Sequence, residues 1–150
     1  MSGTDATTAS AKHRTRHRAR QAAVQMLYQW EVGQHDIDEV VRTFWSTNLP
    51  GLEDAPESVR AFAEQLVRMT IANIEKIDPL IAETAEHWRL SRIAALDRII
   101  LRLAIGEFLD GSTPRNVVIN EALELAKTFS GEESVKFVNG ILDAVKKKMP

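Results

Sequence analysis

The sequence predicts an all-α protein of about seven helices arranged as two small helical subdomains. Three observations predict this class. Apolar residues recur at three- and four-residue spacing through almost every segment after residue 12. No stretch alternates convincingly with a period of two, so no strand is expected. The seven glycines and five prolines fall mostly where the helical patterns stop. There is no fixed-length repeat and no sustained heptad, which sets aside solenoids and coiled coils.

The elements follow in order. Residues 1–12 are small, polar and without periodicity, and read as a disordered tail. A first helix over about 16–34 places Ala19, Ala23, Met26, Leu27 and Trp30 on one face and stops at Gly33. A second, over about 36–47, carries Ile37, Val40, Val41, Phe44 and Trp45, with Asp36 as its N-cap. Turn residues mark a loop at 48–56. A third helix over about 57–76 lines up Val59, Phe62, Leu66, Met69, Asn73 and Ile77. Asp78-Pro79 reads as a cap and first-turn proline opening a short helix to about His87. The fifth helix runs from about Ile93 to Asp110 and ends at Gly111. Its apolar arc covers more than half its circumference, which makes it the central helix. Asp97 and Glu107 project into that arc, so each must be paired or must face a partner, because burying a lone carboxylate costs several kcal/mol. Thr113-Pro114 starts the sixth helix, which ends near Phe129-Ser-Gly131. The seventh, from Glu132 or Glu133 to about Lys147, has acids at its start and lysines at its end, as the helix dipole favours. The expected domains are a tail at 1–12, an N-terminal subdomain at 13–77 and a C-terminal subdomain at 78–150.

Composition narrows the function. Without cysteine there are no disulfides and no thiolate zinc sites. No apolar run approaches the ~18 residues of a membrane span, and the N-terminus lacks the apolar core of a secretion signal, so the cytoplasm is the default expectation. No glycine-rich phosphate loop, Gly-x-Ser-x-Gly elbow or His-Glu-x-x-His motif is present, so neither an enzyme nor a cofactor is expected.

Charge is distributed unevenly. The run Lys12-His-Arg-Thr-Arg-His-Arg-Ala-Arg20 holds one lysine, four arginines, two histidines and no acid. The whole chain has a net charge of -2, so the residues outside this +5 run sum to -7. A basic arm on an acidic body is a local target for a polyanion. At helical spacing Tyr28 lies opposite the apolar face, alongside Arg14, Arg18, Gln21 and Gln25. An aromatic ring beside guanidinium groups suits single-stranded nucleic acid, whose bases stack while its phosphates pair with arginine. The alternative for Tyr28 is packing against the second subdomain, and for the arm a flexible solvated terminus. His13 and His17 are spaced i,i+4 like a metal pair, but no third ligand accompanies them and the arginines around them would repel a cation. Glu121 and Glu124 are read as a solvated helix face or a partner-binding surface. Phe137 sits at the margin of its helix's apolar face, beside Lys136, as core filling or as a contact anchor. Lys146, Lys147 and Lys148 favour the end of the last helix.

Three strings resemble the NusB family of bacterial antitermination factors. Arg18-Ala-Arg-Gln-Ala-Ala-Val-Gln-Met-Leu-Tyr-Gln-Trp30 is similar to its opening helix, and Leu96-Asp-Arg-Ile-Ile-Leu-Arg-Leu-Ala-Ile-Gly-Glu-Phe108 to its central one. Val118-Ile-Asn-Glu-Ala-Leu-Glu-Leu-Ala-Lys-Thr-Phe129 and Ser134-Val-Lys-Phe-Val-Asn-Gly-Ile-Leu-Asp143 are similar to its last two. They occur in the right order, and the resemblance runs from about Arg16 to Lys147. It implies an RNA-binding factor for the boxA element of ribosomal RNA leaders, acting with a small-subunit ribosomal protein that serves as NusE. It implies that the pair joins NusA and NusG on RNA polymerase and suppresses termination. The RNA contacts it implies are Arg16, His17, Arg18, Arg20 and Tyr28; the partner contacts are Asp97, Glu133 and Phe137.

The chain departs from the family pattern at three positions. His17 stands where arginine is common, Asn116 where lysine is often seen, and Gly106 where tyrosine is usual, the last with an expected effect on the partner face. Two other readings of the resemblance are an RNA-recognition module serving a ribosomal RNA-modifying enzyme and a helical scaffold or homodimer. The first would need its enzyme on a separate chain, since no methyltransferase sequence precedes Pro150.

Overall fold

The computed structural model describes residues 2–46, 54–85 and 90–150, with side chains from residue 9 onward. Among these residues it contains seven α-helices, two short 3-10 turns and no strand. The helices are α1 (Ser2–Glu31), α2 (Ile37–Thr43), α3 (Glu57–Ala72), α4 (Ile74–Thr84), α5 (Ala95–Asp110), α6 (Arg115–Phe129) and α7 (Glu132–Lys148). The all-α class and the helix count are as the sequence predicts. The chain divides into two compact units, Met1–Gln65 and Leu66–Pro150. Their border lies within α3, not at 77/78 as expected.

In the first unit, α1 buries Ala19, Ala23, Met26 and Leu27 as expected, and Ala22 and Val24 beside them, whereas Trp30, expected on the same face, is only half-buried. The helix starts far earlier than residue 16, so the stretch expected as a tail is its first part. Residues 9–14 are exposed there. Residues 9–14 therefore rest on their own backbone ladder and on the helix propensity of alanine and lysine rather than on packing. At the other end Gln34, not Gly33, takes the left-handed conformation (φ 55). Gly33 is needed for a different reason: a Cβ there would stand 2.6 Å from the Gln29 carbonyl oxygen. Asp36 caps α2 as expected, its Oδ2 accepting from the Glu39 N–H at 3.4 Å. Val40 and Phe44 are the residues of that segment that reach the core. The loop expected over 48–56 lies largely outside the described residues, as does the expected end of the fourth helix near His87.

In the second unit, α5 is the central helix, packed against α4, α6 and α7. Ile99, Ile100, Leu101, Leu103, Ala104, Ile105 and Phe108 are all buried. Gly111 ends it in the left-handed conformation (φ 76), which glycine adopts at no steric cost. The α3–α4 region corrects the sequence reading. The break falls at Asn73, whose N–H reaches Met69 and Thr70 carbonyls and whose Nδ2 donates to Met69 at 2.8 Å. Pro79 therefore lies inside α4, where it removes one ladder bond. Asp78 is no cap; it forms a two-pronged ion pair with Arg102 of α5, at 2.8 and 2.9 Å. Tertiary charge pairing overrides the local cap signal there.

Two further expectations change. Glu121 is buried (4% exposed) and has its own interactions, so it is not part of a solvated face. It stands three residues after Val118 and four before Leu125, both core residues, which is the core register of α6. Gly106 faces Met69, Thr70 and Ile77, so its loss of a ring alters the core and not a partner face.

Candidate nucleic-acid interface and a second cleft

Four arginines at alternate positions cannot share one side of a helix. At about 100° per residue, Arg14 and Arg18 fall together, and Arg16 and Arg20 fall together about 140–180° from the centre of that first stripe. The structure obeys this arithmetic. Arg14, His17, Arg18, Gln21, Gln25 and Tyr28 form one band along α1, Arg14 and Tyr28 exposed and the rest half-buried. The band extends about 21 Å from Arg14 to Tyr28 at ~1.5 Å per residue. Tyr28 is 41% exposed. His17 stacks on His13, with centroids 6.3 Å apart and 17° between planes.

Arg16 and Arg20 lie elsewhere. Their guanidinium carbons stand 5.0 and 5.6 Å from the centre of the Phe62 ring on α3. Arg20 is only 2% exposed. The five residues expected to contact RNA are thus separated: His17, Arg18 and Tyr28 share the outward band, whereas Arg16 and Arg20 turn to Phe62. The alternation of the arginines carried this signal in the sequence; the aromatic partner, more than forty residues on, did not.

The second unit holds a cleft of about 320 Å³ lined by Arg92, Ile93, Ala94, Asp97, Glu133, Ser134 and Phe137. It brings together all three residues expected to meet a protein partner. The backbone leading into α5 forms one wall. Arg98 holds it, donating from Nη1 to the Ile93 carbonyl at 2.8 Å and to Leu90 at 3.4 Å. Asp97, in the first turn of α5, is 8% exposed, and its Oδ1 is buried without a hydrogen-bond partner among the described residues. The other wall is the start of α7, with Glu133 exposed and Phe137, one turn later, half-buried at the margin of the core. Val138, Ile141, Leu142 and Val145 fill the core beneath. An orphan carboxylate oxygen, a second acid and a partly exposed ring fit a cationic donor carried beside an apolar group. Arg92 was missed in the sequence because it stands in a short turn outside any periodic segment.

The remaining motifs are structural. Lys146 donates to the Asn116 Oδ1 at 2.7 Å, Lys147 pairs with Asp143 at 3.1 Å and Lys148 donates to the Thr84 hydroxyl at 3.2 Å. Among the described residues no group of three or more metal-ligating side chains occurs, and no helix is long and apolar enough to cross a membrane.

The model of the NusB family matches residues 17–147. The chain is 46% identical over 136 residues to the transcription antitermination protein NusB of Koribacter versatilis, covering 90% of each. It is 45% identical over 134 residues to that of an Exiguobacterium species, covering 89% of this chain and 98% of the relative. Among solved structures, T. maritima NusB is similar with a TM-score of 0.77 and 36% identity, over 89% of this chain and 91% of that one. A NusB from a complex of the antitermination factors NusB and NusE with dsRNA is similar with a TM-score of 0.74 and 28% identity, over 91% and 98%. The sequence match over nearly the whole chain and the shared helical order together establish that the chain belongs to the NusB family.

Proposed function

We propose that the protein is an RNA-binding transcription antitermination factor. It binds boxA-type RNA of ribosomal RNA leaders together with a small-subunit ribosomal protein acting as NusE. The pair then enters the RNA polymerase complex with NusA and NusG and promotes readthrough of terminators. The observation that carries this reading is the buried, unpartnered Asp97 Oδ1 in a cleft with Glu133 and Phe137. Such a carboxylate is costly in the free chain and becomes favourable when a partner supplies a donor. The likeness to the NusB of a NusB–NusE–RNA complex supports a protein partner and an RNA for this chain as well.

In this proposal the RNA lies along the α1 band. Tyr28 stacks a base, Arg14 and Arg18 hold phosphates, and His17, Gln21 and Gln25 supply further polar contacts. The cleft takes a basic side chain of the ribosomal protein against Asp97 and Glu133, with Phe137 as the apolar anchor. Two modest interactions then reinforce one another through effective concentration.

The test is a titration of boxA-type RNA against a scrambled sequence and a duplex, with and without the ribosomal protein, across a salt series. The partner should raise affinity for boxA-type RNA and leave the scrambled RNA weak. An equal gain for both sequences, or none for either, overturns the proposal.

A further inference from the structure

We infer that Phe62 is a positioning residue for RNA binding: its ring gathers Arg16 and Arg20 and thereby fixes the rotation of the basic segment of α1. Residues 9–14 of α1 are exposed, and the first buried side chain among those described is Ala19. An unpacked helical end of this kind frays easily. Toward that end Arg16 and Arg20, one helical turn apart, both lie over the same ring at 5.0 and 5.6 Å.

Phe62 itself is half-buried on α3, at the margin of the face that buries Val59, Ala63 and Leu66. Its backbone position is set by packing, so the ring can serve as a fixed point. A guanidinium over a ring face is attracted by the ring quadrupole, and the attraction strengthens as water is excluded. Arg20, nearly fully buried, is the more sheltered of the two. With both held, helical geometry leaves Arg14, His17, Arg18, Gln21, Gln25 and Tyr28 no choice but to line up outward. The alternating arginines thus divide the work: Arg16 and Arg20 anchor, and Arg14 and Arg18 are presented. This inference rests on the reading of the outward band as the RNA site.

Two measurements on the full chain test it. Amide hydrogen exchange of residues 14–20 is read without RNA, and RNA affinity is read across salt. Phe62→Leu keeps an apolar side chain but removes the π face. It should speed exchange at residues 14–20, leave α5 exchange unchanged, and weaken boxA-type RNA binding about 5- to 30-fold, the sum expected of two such contacts. The slope of log affinity against log salt should stay as in the wild type, because no phosphate contact is lost. Phe62→Tyr, which keeps the ring, should restore both readouts. Arg16→Gln, at a half-exposed position that does not threaten folding, should loosen the same amides with the slope unchanged. The inference is overturned if exchange at 14–20 is unaffected by Phe62→Leu and Arg16→Gln, or if Arg16→Gln flattens the salt slope as loss of a phosphate contact would. Failure of the wild-type chain to bind boxA-type RNA would sink the functional proposal, while the exchange arm would still decide the anchoring.

Discussion

The band on α1 and the cleft at the start of α5 hold charge in opposite ways. Along α1 the cationic groups stand at or near solvent on a helix whose periodicity alone displays them. At the cleft one carboxylate oxygen is withdrawn from water and meets no hydrogen-bond partner among the described residues, with Phe137 half-exposed nearby. Exposed charges act at range, are screened by salt and are individually weak. A desolvated charge acts only on contact, but its pairing is strong and its geometry selective. The two regions therefore suit two different partners: a flexible polyanion that can be tracked electrostatically, and a folded protein that must fit.

The largest single effect belongs to the cleft. Asp97→Asn should weaken binding of the ribosomal protein by about 2–5 kcal/mol, the range for truncating one side of a buried hydrogen-bonded charge pair. The free chain should be no less stable, because the carboxylate oxygen it replaces has no partner to lose. Calorimetric titration and a urea midpoint read the two quantities separately. A loss of stability with unchanged partner affinity would make Asp97 a structural residue and dissolve the contrast.

Next comes Tyr28. Tyr28→Ala should lower boxA-type RNA affinity by about 1–3 kcal/mol, the value of one stacked base, while the salt slope holds. Because the ring is 41% exposed, folding stability should barely move. Filter-binding isotherms at two salt concentrations suffice. An unchanged affinity removes the aromatic from the band and leaves a purely electrostatic arm.

Gly106→Ala sharpens the comparison from outside both regions. A Cβ there would meet Met69, Thr70 and Ile77 at 3.4–3.6 Å, which is ordinary contact. Replacing a mid-helix glycine should stabilise the chain by about 1 kcal/mol, seen as a raised thermal midpoint. Partner and RNA affinities should stay constant. A changed partner affinity would mean that the packing behind α5 feeds the cleft.

How much of this could be read from the chain follows from which interactions are local. The α5 core, the Asp36 cap and the Gly111 stop are set by residues within a turn or two of each other, and sequence spacing shows them. Asp97, Glu133 and Phe137 were suggested by family resemblance, and their meeting in one cleft needed the packing of α7 against α5. Asp78 was misread because its ion pair with Arg102 spans two helices and outweighs a cap signal in the local sequence. The arginine run shows the same limit in miniature. Its charge was plain, the two-sided split was implicit in helical geometry, and the ring that takes one side lies on another helix.

The smallest effect tests that split most directly. Arg18→Ala should flatten the salt dependence of RNA binding by about 0.7 in log-log slope, one phosphate contact on a single strand. Between 50 and 200 mM salt that amounts to about a 2- to 3-fold change in the affinity ratio. Arg14→Ala should do the same, and the double variant should come near twice the change if, as proposed, the two side chains contact separate phosphates. Arg20→Ala should leave the slope alone, because a guanidinium 2% exposed beside Phe62 has no free face for a phosphate. Equal flattening by Arg18→Ala and Arg20→Ala would show that all four arginines follow the RNA backbone, and the distinction between presented and anchoring residues on α1 would fall.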